Sequence, residues 1–110
     1  MKLSIERGTL LKAVAQAQSV VERRNTIPIL ANVLIEAEGD AIRLRATDLD
    51  IEVVDDAPAQ VHSAGATTVN AVMFHDITRK LPDGALVELA CDGAAQLLHV
   101  SAGSARFRLP

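Results

Sequence analysis

Leu3 and Ile5 alternate with Ser4 and Glu6, the period of a half-buried strand, and the pattern changes at Arg7 and Gly8. From Thr9 to about Arg23 the apolar residues Leu10, Val14, Ala17 and Val21 recur at helical spacing. Lys12, Gln16, Ser19 and Arg23 repeat the same spacing on the opposite side, so the helix has one core face and one polar face. It has to end before Asn25 to Pro28, because proline restricts the residue before it and donates no backbone hydrogen bond. Ile29 to Ala37 then reads as a strand, and Glu38, Gly39 and Asp40 supply a turn. Ile42, Leu44 and Ala46 alternate strictly with Arg43 and Arg45, which makes the pair a hairpin with one solvated face. After Thr47 to Asp50 a strand resumes over Ile51 to Val54, and Pro58 marks an irregularity or an edge within a longer extended segment.

The second half repeats this order. Thr67 to Val69 is a short strand, and Asn70 is placed to cap a helix that buries Phe74, Ile77 and Leu81. Leu81-Pro82-Asp83-Gly84 ends the helix. Three strands follow, Leu86 to Cys91, Leu97 to Ser101 and Ala105 to Leu109, divided by turns at Asp92-Gly93 and Gly103-Ser104. The expected architecture is α+β, a strand-helix-three-strand unit used twice, with two helices on one face of antiparallel sheets. The two halves share pattern rather than residue identity.

Composition narrows the picture. A chain of 110 residues that is 49% hydrophobic is about one domain long and can bury a core of its own. With two Phe and no Trp or Tyr, that core is aliphatic, and stacking of aromatic rings on exposed bases is nearly excluded. Eleven Lys and Arg against fourteen Asp and Glu give a net charge of -3, which argues against wholesale electrostatic capture of nucleic acid while allowing a local basic face. Cys91 is the single cysteine, so an internal disulfide and a CxxC motif are both absent, as suits a reducing cytoplasm. Its expected role is that of a small buried hydrophobe. The first dozen residues lack the continuous apolar run of a signal peptide, and no later segment is long enough to span a bilayer, so a soluble cytoplasmic protein without membrane contact is expected.

Candidate catalytic chemistry is sparse. Asp48 with Asp50, and Asp55 with Asp56, are better read as turn and strand-edge residues than as an acid/base pair, because Asp bonds nearby backbone amides in turns. His62, His75 and His99 show no ligand-like spacing, and neither a phosphate-binding glycine loop nor a nucleophile elbow is present. These features imply no cofactor and no metal, and they make an enzyme a poor reading.

Several phrases taken in order resemble the bacterial β sliding clamps of DNA polymerase III. They are Met1-Lys2-Leu3, Leu10-Leu11-Lys12, Arg24 to Asn32, Thr47-Asp48-Leu49-Asp50, Gly65 to Val69, Ile77, Leu81-Pro82-Asp83-Gly84 and the terminal Arg106-Phe107-Arg108-Leu109-Pro110. The set covers essentially the whole chain, at spacings close to the first of the family's three domains, which makes the chain resemble one piece of a longer protein. The resemblance implies a non-catalytic processivity factor: a homodimeric ring of head-to-tail protomers, helices lining the hole and sheets forming the outer wall. Duplex DNA would be its sequence-independent partner, and the replicative polymerase and clamp loader would meet it through the full-length protein.

Carried over residue by residue, the resemblance makes Arg24 a pore-facing arginine that meets the DNA backbone, at the tip of the loop leaving the first helix. Lys12 and Arg23, on the polar stripe of that helix, and Arg79 and Lys80, in the last turn of the second, where cations also suit the helix dipole, are the other expected DNA-binding residues. Val72 and Met73 depart from the family, which commonly has basic residues there. Phe107 and Leu109 alternate with Arg106 and Arg108 on the terminal strand, which the family places at the junction with a neighbouring protomer, so Arg106, Phe107 and Leu109 are the expected interface residues. Two other readings are a stand-alone non-catalytic α+β module that self-associates through sheet edges, and a small hydrolase or metal enzyme assembled from the scattered His and Asp residues.

Overall fold

The computed structural model describes residues 1–23, 32–47, 52–92 and 97–110, with only the backbone described at 20–23 and 92. The order is β1 (Lys2–Glu6), α1 (Arg7–Arg23), β2 (Asn32–Glu38), β3 (Ala41–Thr47), β4 (Glu52–Pro58), β5 (Gln60–Ser63), β6 (Gly65–Asn70), α2 (Ala71–Lys80), β7 (Leu86–Asp92), β8 (Leu97–Ala102) and β9 (Ala105–Leu109). The expected helix stop at Asn25 to Pro28, the start of the strand at Ile29 to Ala31, and the turns at Asp48 to Asp50 and at Gly93 lie outside the described residues.

The strands form two antiparallel sheets, ordered β5-β1-β7-β8-β9 and β4-β3-β2-β6. The recurring unit is present, but the units exchange strands: β1 pairs with β7 of the second half, Leu3 opposite Leu89, and β6 pairs with β2 of the first, Val69 opposite Val33. One strand was not legible in the sequence. After Pro58 the chain passes through Ala59, whose amide donates to the Asp40 carbonyl at 2.9 Å, and continues as β5 along β1. Gln60-Val61-His62-Ser63 has a single apolar residue and no alternation worth the name. It is a strand because the open edge of β1 offers a ladder, helped by a 3.2 Å hydrogen bond between Ser4 Oγ and His62 Nε2.

Both sheets turn one face inward to a shared core. Val33, Ile35 and Ala37 of β2, Ile42, Leu44 and Ala46 of β3, Val87 and Leu89 of β7, and Leu98, Val100 and Ala102 of β8 are all buried, as period-two alternation demands. Leu10, Ala13, Val14 and Ala17 of α1 and Ala71 and Phe74 of α2 fill the rest. Phe74 is fully enclosed, and beneath it the buried Thr78 hydroxyl is satisfied by donating to the Phe74 carbonyl at 2.7 Å. Cys91 is half-buried against this core, and its amide donates to the Met1 carbonyl at 2.9 Å.

The helix ends are fixed by side chains. Before α1 the Glu6 carboxylate accepts from the Gly8 amide at 3.0 Å, the Thr9 amide at 3.3 Å and the Thr9 hydroxyl at 2.9 Å. These bonds, led by that from Gly8, hold its carboxyl below the ordinary value of 4.5. Asn70 caps α2 by accepting from the Met73 amide at 3.0 Å. The far end of α2 is held from elsewhere. Arg7 donates to the Arg79 carbonyl at 2.8 Å and to Asp83 at 2.7 Å, while its own amide reaches the Ala85 carbonyl at 2.9 Å. The start of α1 is thereby locked to the end of α2, and the helices lie side by side. On the solvent side of the four-stranded sheet, Arg43 donates to Asp56 at 2.8 Å, and Arg45 lies between Glu36 at 3.1 Å and Glu52 at 3.9 Å.

Truncating Phe74 to Ala is expected to cost about 3–5 kcal/mol, measured by chemical denaturation, because the site is enclosed on all sides. Arg7→Ala is expected to cost about 1 kcal/mol by removing its hydrogen bond to the Arg79 carbonyl, and Asp83→Asn clearly less, because Asp83 is 93% exposed in that pair. For Glu6 the folded carboxyl is more acidic than the unfolded one, so the unfolded chain binds more protons and the contribution is lost as pH falls through the folded pKa, below 4.5. The stability difference between the parent chain and Glu6→Gln should therefore be constant near neutrality and shrink on acidification below that value. A difference that widens in acid would contradict the capping role.

Candidate nucleic-acid and subunit interface

The polar stripe of α1 faces solvent: Lys12, Gln16 and Ser19 are exposed, and Ser19 donates to the Gln16 carbonyl at 2.7 Å. Lys12 borders an open groove between α1 and β4, together with Thr9, Gln16, Asp55 and Asp56. Arg79 and Lys80 are exposed in the last turn of α2, and Arg79 pairs with Asp76 one turn earlier at 3.1 Å. The structure brings Arg79 and Lys80 together at one helix end but does not join Lys12 to them. Arg7 faces α2, and Lys12 lies ~140° further round the same helix, on the flank beside β4. The backbone of Arg23 closes α1, while its side chain and the whole of Arg24 lie outside the described residues.

The terminal strand follows its alternation. Arg106 and Arg108 are exposed, Phe107 is half-buried against the core, and Leu109 is fully enclosed. Leu109 therefore contributes to any junction only through its backbone and by seating the strand, whereas Phe107 and the two arginines keep accessible surface. β9 pairs with β8 on one side and has no neighbour on the other among the described residues. Val72 and Met73 are 40% and 45% exposed at the start of α2. Arg7, which joins the two helices, was missed as a key residue. A signal was present: a cation in the first turn opposes its own helix dipole, so its partner had to be another element.

His62, His75 and His99 stand on β5, α2 and β8, and among the described residues no group of three or more His, Cys, Asp or Glu is placed to hold a metal ion. Among the same residues no helix is long and apolar enough to cross a membrane.

The family described as DNA polymerase III beta subunit, N-terminal domain, matches residues 1–110. The beta sliding clamp of Caulobacter vibrioides is 54% identical over 110 residues, covering 100% of this chain and 30% of that protein. The beta sliding clamp of Escherichia coli is 41% identical over 110 residues, covering 99% of the chain and 30% of that protein. Among solved structures, the DNA polymerase sliding clamp from Caulobacter crescentus superposes with a TM-score of 0.93 at 54% identity, over 100% of this chain and 30% of that one. A sliding clamp from Bartonella birtlesii bound to griselimycin gives 0.91 at 42% identity, over 99% and 29% of the two chains. The chain spans less than a third of the length of the relatives it matches. On sequence and fold together, it belongs to the family of DNA polymerase III beta subunit N-terminal domains.

Proposed function

We propose that this chain is the first of several similar domains in a protein that closes into a homodimeric ring around duplex DNA and tethers the replicative polymerase there, without catalysis of its own. The observation that carries this reading is the likeness of this whole chain, in both sequence and fold, to 30% of the length of proteins named sliding clamps. Size agrees with it: the radius of gyration is 12.8 Å, too small for one such domain to enclose a duplex, so encirclement needs further domains. Charge agrees as well, because a net charge of -3 suits a protein that holds DNA by enclosure rather than by affinity.

Within this reading, Arg79 and Lys80, with Arg23 and the Arg24 that follows it in sequence, supply sequence-independent phosphate contacts. Lys12 is the weaker candidate, because Asp55 and Asp56 share its groove. Arg106 and Phe107 meet the neighbouring protomer, on a strand seated by Leu109. Polymerase and clamp loader bind the whole ring.

The isolated chain should then bind linear duplex with an affinity no better than on the order of 10⁻⁴ M at physiological salt. Fluorescence anisotropy revealing submicromolar binding under those conditions would sink the enclosure account. In low salt, where residual binding is measurable, replacing Arg79 and Lys80 together by Ala should reduce the slope of log affinity against log salt by about two, uniformly across DNA sequences. An unchanged slope would remove both residues from the DNA-facing set.

A further inference from the structure

The cations at the end of α2 are paired unequally. Arg7 holds Asp83 at 2.7 Å and the Arg79 carbonyl at 2.8 Å, and its side chain, 16% exposed, is committed to the joint between the helices. Arg79 pairs with Asp76 at 3.1 Å, whereas Lys80 makes no ion pair among the described residues. Asp76 has no other task that its helix explains. Asn70 already caps the first turn by accepting from the Met73 amide. Asp76 is the sixth of ten residues, in the half of the helix where a negative charge opposes the dipole. It lies roughly opposite the buried Ala71, Phe74 and Thr78, on the same solvent face as Arg79 and Lys80.

We infer that Asp76 is a built-in stand-in for a DNA phosphate: it holds the Arg79 guanidinium while no backbone is in reach and releases it when one arrives. The pair has the properties such an exchange needs. Its side chains are 57% and 48% exposed, and one guanidinium nitrogen donates to one carboxylate oxygen, so the rest of the fork stays open to an incoming anion. Exposed pairs of this kind contribute little to stability, and a phosphate that takes both arms of the fork is the better acceptor. The backbone of Arg79 stays in place meanwhile, because Arg7 holds its carbonyl, and only the side chain has to swing. One anion replaces another at each contact, so the contact forms and breaks with a small net change, as movement along a duplex requires. Lys80, without a competitor, supplies the steady attraction.

The inference rests on the ring reading, which turns this helix end toward the duplex, and adds the group that sets how firmly Arg79 grips. Fluorescence anisotropy of this chain with linear duplex, between about 50 and 200 mM salt, tests it. Asp76→Asn is expected to raise affinity roughly threefold at the low end of that range, with the gain shrinking toward the high end as screening strengthens. Asp76→Gln, a stronger helix former, should behave alike, and thermal melts of both variants should keep the native transition. Glu38→Gln changes net charge equally, but on the solvent side of the four-stranded sheet, away from the helices, and should raise affinity far less. In a chain that already carries Arg79→Ala, Asp76→Asn should lose most of its effect, because the two residues act on one contact.

An Asp76→Asn chain that binds no better than the parent, or no better than Glu38→Gln, overturns the inference. So does a gain of equal size with and without Arg79, which would make Asp76 a general repulsive charge. If replacing Arg79 and Lys80 together leaves the salt slope unchanged, the DNA-facing reading of this helix end falls and the exchange falls with it. If that slope drops while Asp76→Asn has no effect, the exchange alone is wrong and the DNA-facing reading stands.

Discussion

Strand exchange between the two halves is the constraint on which the rest depends. Because β1 completes the sheet of β7, β8 and β9, and β6 completes that of β2, β3 and β4, neither half can cover its apolar face alone. The pairings join residues as distant as Lys2 and Ala90, so a costly loop closure precedes the burial that stabilises the fold. In return the two helices are brought side by side, each delivered by the strand that entered the other half's sheet. Their adjacency is a consequence of topology, and the Arg7 contacts with Arg79 and Asp83 then fix it.

The same exchange decides what is left for partners. It buries most of the Leu, Ile and Val of the central strands and leaves β4, β5, β6 and β9 at sheet edges, together with a few exposed apolar side chains, Val54, Val72, Met73 and Leu86. Enclosing DNA by topology asks little of any one domain beyond a tolerant inner surface and firm joints. A domain with a net charge of -3 fits those requirements.

Much of this was legible without coordinates because it is local. Alternation in Leu3 to Ile5 and Ile42 to Ala46, the helical repeat of Leu10, Val14 and Ala17, the Asn70 cap and the Pro82-Asp83-Gly84 stop depend on neighbours within a turn or two. They fixed the α+β class and the repeated unit, and the ordered motifs fixed the family. The alternation of β9 also separated Arg106 and Arg108 from Phe107 and Leu109 correctly.

What only the tertiary structure decided involves partners far away in sequence. β5 has no pattern of its own and exists because β1 has a free edge. Arg7 looks misplaced in its own helix until the end of α2, 72 residues on, is beside it. Lys12 and Arg79 look alike as exposed helix cations, yet one stands beside acidic β4 and the other at a helix end held by Arg7. Leu109 and Phe107 share a face, and packing alone determined that the first is enclosed and the second keeps accessible surface. Periodicity tells which side of an element avoids water, whereas the identity of the surface it avoids water against is set by long-range pairing, which no local window contains.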